Sequence, residues 1–87
     1  MNKKITVFGL GYVGTSIAVL LSKNNEVTAI DVDEKKVNMI NNGLSPIDDS
    51  LVTDFLKNKN LNLKASTETA KLDDSDFAVL CLPTNFN

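Results

Sequence analysis

Lys4-Ile5-Thr6-Val7-Phe8-Gly9-Leu10-Gly11-Tyr12-Val13-Gly14 is the stretch that decides the fold. Ile5, Thr6, Val7 and Phe8 form a short β-branched and aromatic run closed by Gly9, the pattern of a buried strand. Beyond the glycines, Val13, Ile17, Leu20 and Leu21 recur at helical spacing, which predicts a helix with these four on its inner face. Strand, glycine turn and helix therefore follow one another with no intervening linker.

Outward from this unit the alternation continues. Asn24-Asn25 is expected to end the first helix, because asparagine tolerates the left-handed conformation found after many helices. Residues 27–30 read as a second strand with Asp31 at its C-terminal end, and Asp33 is placed to cap a second helix that buries Val37 and Ile40 and stops at Gly43. Ser45-Pro46 breaks the pattern, and a third helix is expected to turn Leu51, Val52, Phe55 and Leu56 inward. Residues 57–60 read as a polar turn. Leu61, Leu63 and Ala65 alternate with polar residues as in a half-exposed strand. A helical turn is expected over residues 67–71, then a buried strand over the apolar run 77–82, stopped by Pro83. Strands separated by helices predict an α/β fold with a parallel, doubly wound sheet of about four strands.

In this setting the spacing of glycines carries chemistry. A glycine loop between a strand and a helix, with an acid after the next strand, is the fingerprint of a Rossmann dinucleotide site. Gly9 would allow the tight turn out of the strand, Gly11 the close approach of a pyrophosphate, and Gly14 the close seating of the helix. The amides of Tyr12 and Val13 would face the phosphates from the positive end of that helix. Asp31 stands 20 residues beyond Gly11, the spacing of the carboxylate that accepts from the adenosine ribose. A carboxylate there repels the extra phosphate of NADP, so NAD is the expected cofactor. Lys35 and Lys36 offset the charge of Asp33 and Glu34 nearby.

Composition narrows the remaining classes. The 87 residues suit one small domain, and 43% apolar content with a net charge of −2 fits a globular chain. No cluster of lysines marks a nucleic-acid surface, and no apolar run approaches the length of a membrane span. With no signal-peptide pattern, a cytoplasmic protein is expected. The single cysteine, Cys81, excludes an internal disulfide, and the absence of histidine removes the commonest general base and metal ligand. Cys81 lies within an apolar run, where cysteine serves as a small hydrophobe, and no catalytic or metal-binding residue is expected in this chain.

The eleven-residue stretch quoted first, with its Tyr12-Val13 pair inside the glycine motif, resembles the start of the UDP-glucose/GDP-mannose 6-dehydrogenase family, and most of all its bacterial UDP-glucose 6-dehydrogenase branch. Asp31-Val32-Asp33-Glu34-Lys35-Lys36-Val37, Asn41-Asn42-Gly43-Leu44-Ser45-Pro46-Ile47 and Pro83-Thr84-Asn85 agree with it, so the resemblance covers essentially the whole chain. It implies the N-terminal part of an NAD-binding domain, with central helical and sugar-nucleotide-binding domains outside these residues. It also implies an enzyme that oxidises the C6 alcohol of a UDP- or GDP-sugar to a carboxylate, UDP-glucose first among them. Two hydride transfers to NAD are involved, through a thiohemiacetal on a downstream cysteine. Gly9, Gly11, Tyr12, Val13 and Gly14 would contact the pyrophosphate, Asp31 and Lys36 the adenosine end, and Thr84 the nicotinamide end. A homodimer is expected of the full-length protein, and self-association of this segment through its last strand. Two departures from the family pattern stand out. Asp48-Asp49-Ser50-Leu51 replaces an acid-Pro-Gly-Leu stretch, and Leu82 precedes Pro83 where a small hydroxyl residue is usual.

Two alternatives stand beside this. One is a dehydrogenase of the hydroxyacid or ketopantoate type, against which the Tyr-Val pair and the Gly-Leu-Ser-Pro-Ile segment speak. The other is a non-enzymatic, NAD-sensing regulatory module, such as that of a potassium transporter, which lacks an insertion like residues 43–60.

Overall fold

Ile5 and Val7 point to one side of the first strand and Thr6 to the other, and all three are buried. A strand buried on both sides belongs in the middle of a sheet. β1 (Lys4–Phe8) accordingly lies between β2 (Glu26–Ile30) and β4 (Phe77–Leu80), while β3 (Leu63–Ser66) pairs with β2. The computed structural model describes residues 3–57, 61–68 and 75–81. Every pairing is parallel, with Val7 opposite Ala29 and Val79, and Ala29 opposite Ala65. The resulting order, β3-β2-β1-β4, is the 3-2-1-4 portion of a Rossmann sheet.

α1 (Tyr12–Leu21) and α2 (Glu34–Asn41) cover one face of this sheet, and α3 (Ser50–Lys57) packs against α1. Ile5, Val7, Val27, Ala29 and Ala65 from the strands meet Ala18 of α1 and Val37 and Ile40 of α2 in one core. Behind α1, Val19 packs with Ile47 and with Val52 of α3 in a second cluster.

The inner face of α1 is rotated from the one that periodicity predicts. Gly14, Thr15, Ala18 and Val19 are its buried residues, Ile17 and Leu21 flank them, and Val13 and Leu20 are 65% and 56% exposed. The physical reason is size. Small residues let the helix axis come close to the sheet, and the glycine loop fixes which face arrives there, so the bulkier residues ride at the sides. α1 also ends differently from expectation. No non-glycine residue among those described has a positive φ. Instead Ser22 forms the C-cap in ordinary right-handed geometry, and the Asn25 side-chain amide donates to the Leu21 carbonyl at 3.0 Å.

α2 follows its sequence signals closely. The Asp33 side chain accepts from the Lys35 N–H at 3.0 Å, and Val37 and Ile40 are buried. At the other end Gly43 adopts φ +74°, while its N–H reaches Ile40 O and the Leu44 N–H reaches Met39 O. That pair of bonds is a Schellman motif, and it needs the left-handed residue that glycine supplies. α3 has a cap that pattern reading did not foresee. The Asp49 carboxylate accepts from Leu51 N–H at 2.9 Å and Val52 N–H at 3.2 Å. One of the two residues that depart from the family's acid-Pro-Gly-Leu stretch thus starts a helix. Only Val52 of α3 is fully buried, Phe55 and Leu56 are partly so, and Leu51 is 67% exposed, contrary to its expected inward position.

β4 is the larger correction. Its apolar run reads as a buried strand, yet Phe77 and Leu80 are 57% and 69% exposed. Among the described residues β4 pairs with β1 alone, and α1 and α2 lie over β1, β2 and β3. The expected helical turn at 67–71, the polar turn at 57–60 and the end of the 77–82 run fall wholly or partly outside the described residues.

Candidate dinucleotide site

The loop between β1 and α1 contains three glycines that answer to three different constraints. Gly9 has φ +98°, and a Cβ there would overlap the Cys81 carbonyl oxygen. Gly14 lies under the loop, where a Cβ would strike the Gly9 carbonyl and come within 3.2 Å of the Cys81 Cβ. Both positions exclude a side chain because the protein itself fills the space. Gly11 differs: its φ is −80°, and a Cβ built on it meets nothing within 4 Å. Neither backbone strain nor packing asks for glycine there. The bare backbone faces open space, which suits the approach of something from outside the chain.

Gly11 is also the N-cap of α1, with no side-chain hydrogen bond to the cap and no acidic residue in the first turn. The first amides of a helix point outward without intrahelical partners and carry the positive end of its dipole. An uncapped start beside a bare glycine is a ready anion site.

Across the loop stands Asp31. Its backbone N–H donates to Ser66 O at 3.2 Å, tying the end of β2 to the end of β3. Its carboxylate accepts from the Leu10 N–H at 2.7 Å and from the Asp33 N–H at 2.8 Å. The two carboxylates at 31 and 33 are therefore divided in role: Asp31 turns toward the glycine loop, Asp33 toward α2.

Between these parts lies a cleft of about 380 Å³. Phe8, Leu10, Ile30 and Val32 give it an apolar lining, the Gly9 to Gly11 backbone forms one wall, and Asp31, Lys36 and Thr67 supply the polar groups. It opens at the C-terminal ends of the strands, where open α/β sheets bind ligands. Of the residues expected from sequence, Gly9, Gly11, Asp31 and Lys36 meet in this one cleft. Tyr12 and Val13 begin α1 with exposed side chains, and neither lines this cleft. Gly14 is buried beneath the loop. Thr84 lies outside the described residues. Pattern reading missed Leu10, Thr67 and Cys81. The last two directly follow β3 and β4, and the strand-end rule alone could have found them. Cys81 donates its N–H to Phe8 O at 2.8 Å and packs against the core from the strand terminus. Among the described residues no cluster of three acidic, histidine or cysteine side chains could hold a metal ion.

The sequence match is decisive at this point. The model of the UDP-glucose/GDP-mannose dehydrogenase family, NAD binding domain, matches residues 3–87. The chain belongs to this family. Its membership decides against both the hydroxyacid-type dehydrogenase and the regulatory module. Among its relatives, a UDP-glucose 6-dehydrogenase of Streptococcus pneumoniae is 46% identical over 85 residues, spanning 97% of this chain and 22% of that protein. A UDP-N-acetyl-D-mannosamine dehydrogenase of Methanococcus maripaludis is 41% identical over 87 residues, spanning 94% and 19%. The crystal structure of a ternary complex of GDP-mannose dehydrogenase from Pseudomonas aeruginosa superposes with a TM-score of 0.87 at 36% identity, over 95% of this chain and 20% of that one. The chain thus spans about a fifth of the length of the relatives it matches, and residues 3–87 match the family's NAD binding domain model. NAD fits the cleft on its own terms: a bare glycine and an uncapped helix start for the pyrophosphate, and a carboxylate across from them for the ribose.

Proposed function

We propose that this domain holds NAD for a nucleotide-sugar 6-dehydrogenase that oxidises the C6 alcohol of a UDP- or GDP-sugar, with UDP-glucose as the first candidate. The observation that carries this is the placement of Gly11, open to the outside at the uncapped start of α1, beside the Asp31 carboxylate. Gly9 makes the turn, Gly11 lets the pyrophosphate approach, and the amides of Tyr12, Val13 and Gly14 bind it. Asp31 accepts from the adenosine ribose, and Lys36 closes that end of the cleft. Thr84 is assigned to the nicotinamide end. When bound, NAD supplies the hydride acceptor. What these residues do is fix its two phosphates and its ribose so that the nicotinamide leaves the cleft in one direction.

Catalytic residues and the sugar pocket belong, in this reading, to central helical and sugar-nucleotide-binding domains outside residues 1–87. The whole enzyme acts as a homodimer in the cytoplasm. UDP-glucose is favoured over other sugars because the UDP-glucose 6-dehydrogenase of Streptococcus pneumoniae shares 46% of matched residues. The test is an assay for NADH formation with the full-length protein and with the 87-residue chain. Turnover of UDP-glucose by the first and none by the second is expected. NADH formed by the purified chain alone would overturn the assignment of catalysis to other domains.

A further inference from the structure

Asp31 is engaged on both oxygens by the protein itself: Oδ2 takes the Leu10 N–H at 2.7 Å and Oδ1 the Asp33 N–H at 2.8 Å. A carboxylate offers about four lone-pair positions, so two remain, which is the number two ribose hydroxyls require. The donor on Oδ2 is the informative one. Leu10 lies between Gly9, whose N–H is bound to Ile30 O at 2.8 Å, and Gly11, the uncapped start of α1. The glycine loop is thus tied to the end of β2 first by its backbone and then, one residue nearer the phosphate site, by the Asp31 side chain.

We propose that Asp31 is a positioning residue for the phosphate-binding loop: through the Leu10 N–H its carboxylate sets where Gly11 and the first α1 amides stand, and so governs pyrophosphate affinity as well as ribose recognition. This rests on the NAD site assigned above. It separates cleanly from a role in ribose binding alone, because the two differ in sign. Removing a negative charge near a phosphate site should leave pyrophosphate binding unchanged or strengthen it. Removing the tie to Leu10 should weaken it. Alanine is the telling replacement, since it removes both acceptor oxygens, whereas asparagine could keep its carbonyl oxygen on the Leu10 N–H.

The experiment measures binding of NAD and of inorganic pyrophosphate to the wild-type chain and to Asp31→Ala, with amide hydrogen exchange followed residue by residue. The variant is expected to lose roughly tenfold in NAD affinity and at least about threefold in pyrophosphate affinity, the range of one net hydrogen bond. Exchange at Leu10 should accelerate about tenfold while Val7 and Val27 stay as they were, a local change that general loss of stability would not produce. Pyrophosphate bound equally well or better by the variant, or unchanged exchange at Leu10, would overturn the proposal. If Asp31→Ala does not fold, an ester in place of the Leu10 amide removes the Leu10 bond and keeps the charge. It should weaken pyrophosphate to the same degree, and unchanged affinity there also overturns the proposal. A wild-type chain that binds neither probe overturns the NAD site and the proposal's link to pyrophosphate together, while Leu10 exchange still reports on the tie itself.

Discussion

The two edges of the sheet are finished in opposite ways. At the β3 edge the outward-facing groups of Ala65 are taken by one side chain: Asn41 of α2 donates from Nδ2 to Ala65 O at 2.9 Å and accepts the Ala65 N–H on Oδ1 at 2.8 Å. A neighbouring strand would offer the same two bonds, so the asparagine acts as a stop. Edges closed in this manner resist pairing with other chains. At the β4 edge no helix offers such a cover among the described residues, and Phe77 and Leu80 stand exposed. Among the described residues β4 has the sequence of an interior strand and one unpaired side. The difference teaches that apolarity reports what a strand is suited to bury, whereas its position in a given chain depends on what lies beside it.

The largest effect is expected from opening the closed edge. Asn41→Leu would leave the Ala65 N–H and C=O without partners at a nearly buried residue. Each such group costs about 1–3 kcal/mol, so a loss of roughly 2 kcal/mol or more should appear in urea unfolding. A loss below about 0.5 kcal/mol, the range of ordinary surface changes, would mean that the stop at Ala65 contributes little. Asp33→Ala tests the same flank more gently. It removes the cap of α2 and should lower stability by about 1 kcal/mol. Its NAD affinity should not change, and a matched fall in binding would place Asp33 in the site.

At the open edge the expected effect on stability is the smallest. Leu80→Lys sets a charge on an exposed edge position and should alter unfolding by no more than about 0.5 kcal/mol. It should instead reduce self-association, because charge on an edge strand discourages pairing with another chain. Sedimentation at high concentration would show the wild-type chain associating and the variant less so. A wild-type chain that sediments as a monomer throughout would remove the contrast between the two edges.

How far the sequence discloses this molecule follows from where each signal acts. The β1 strand, the glycine turn, the Asp33 cap and the Gly43 stop were legible, because each is decided within a few residues by backbone sterics or a local hydrogen bond. The cleft was legible for the same reason at Gly9, Gly11 and Asp31, and through family resemblance at Lys36. The inward face of α1 was not. Val13 and Leu20 fit a helical stripe as well as Ala18 does, and only the seating of the glycine loop on Cys81 selects Gly14, Thr15 and Ala18. The Asn41 stop joins residues 24 positions apart in sequence, and the Asp31 tie to Leu10 spans 21, so neither leaves a local pattern to read.

The central claim, that Asp31 and the glycine loop form the NAD site, is tested most directly by titrating NAD and NADP against the wild-type chain, Asp31→Asn and Asp33→Asn. The 2′-phosphate of NADP would meet the Asp31 carboxylate within a few ångströms, at a cost on the order of a few kcal/mol for an effective dielectric of about 20, before screening reduces it. The wild type should therefore prefer NAD, Asp31→Asn should bind NAD more weakly with the preference narrowed or reversed, and Asp33→Asn should keep the wild-type preference. Selectivity that changes with Asp33 and not with Asp31, or a wild type that binds NADP as tightly as NAD, would contradict the account.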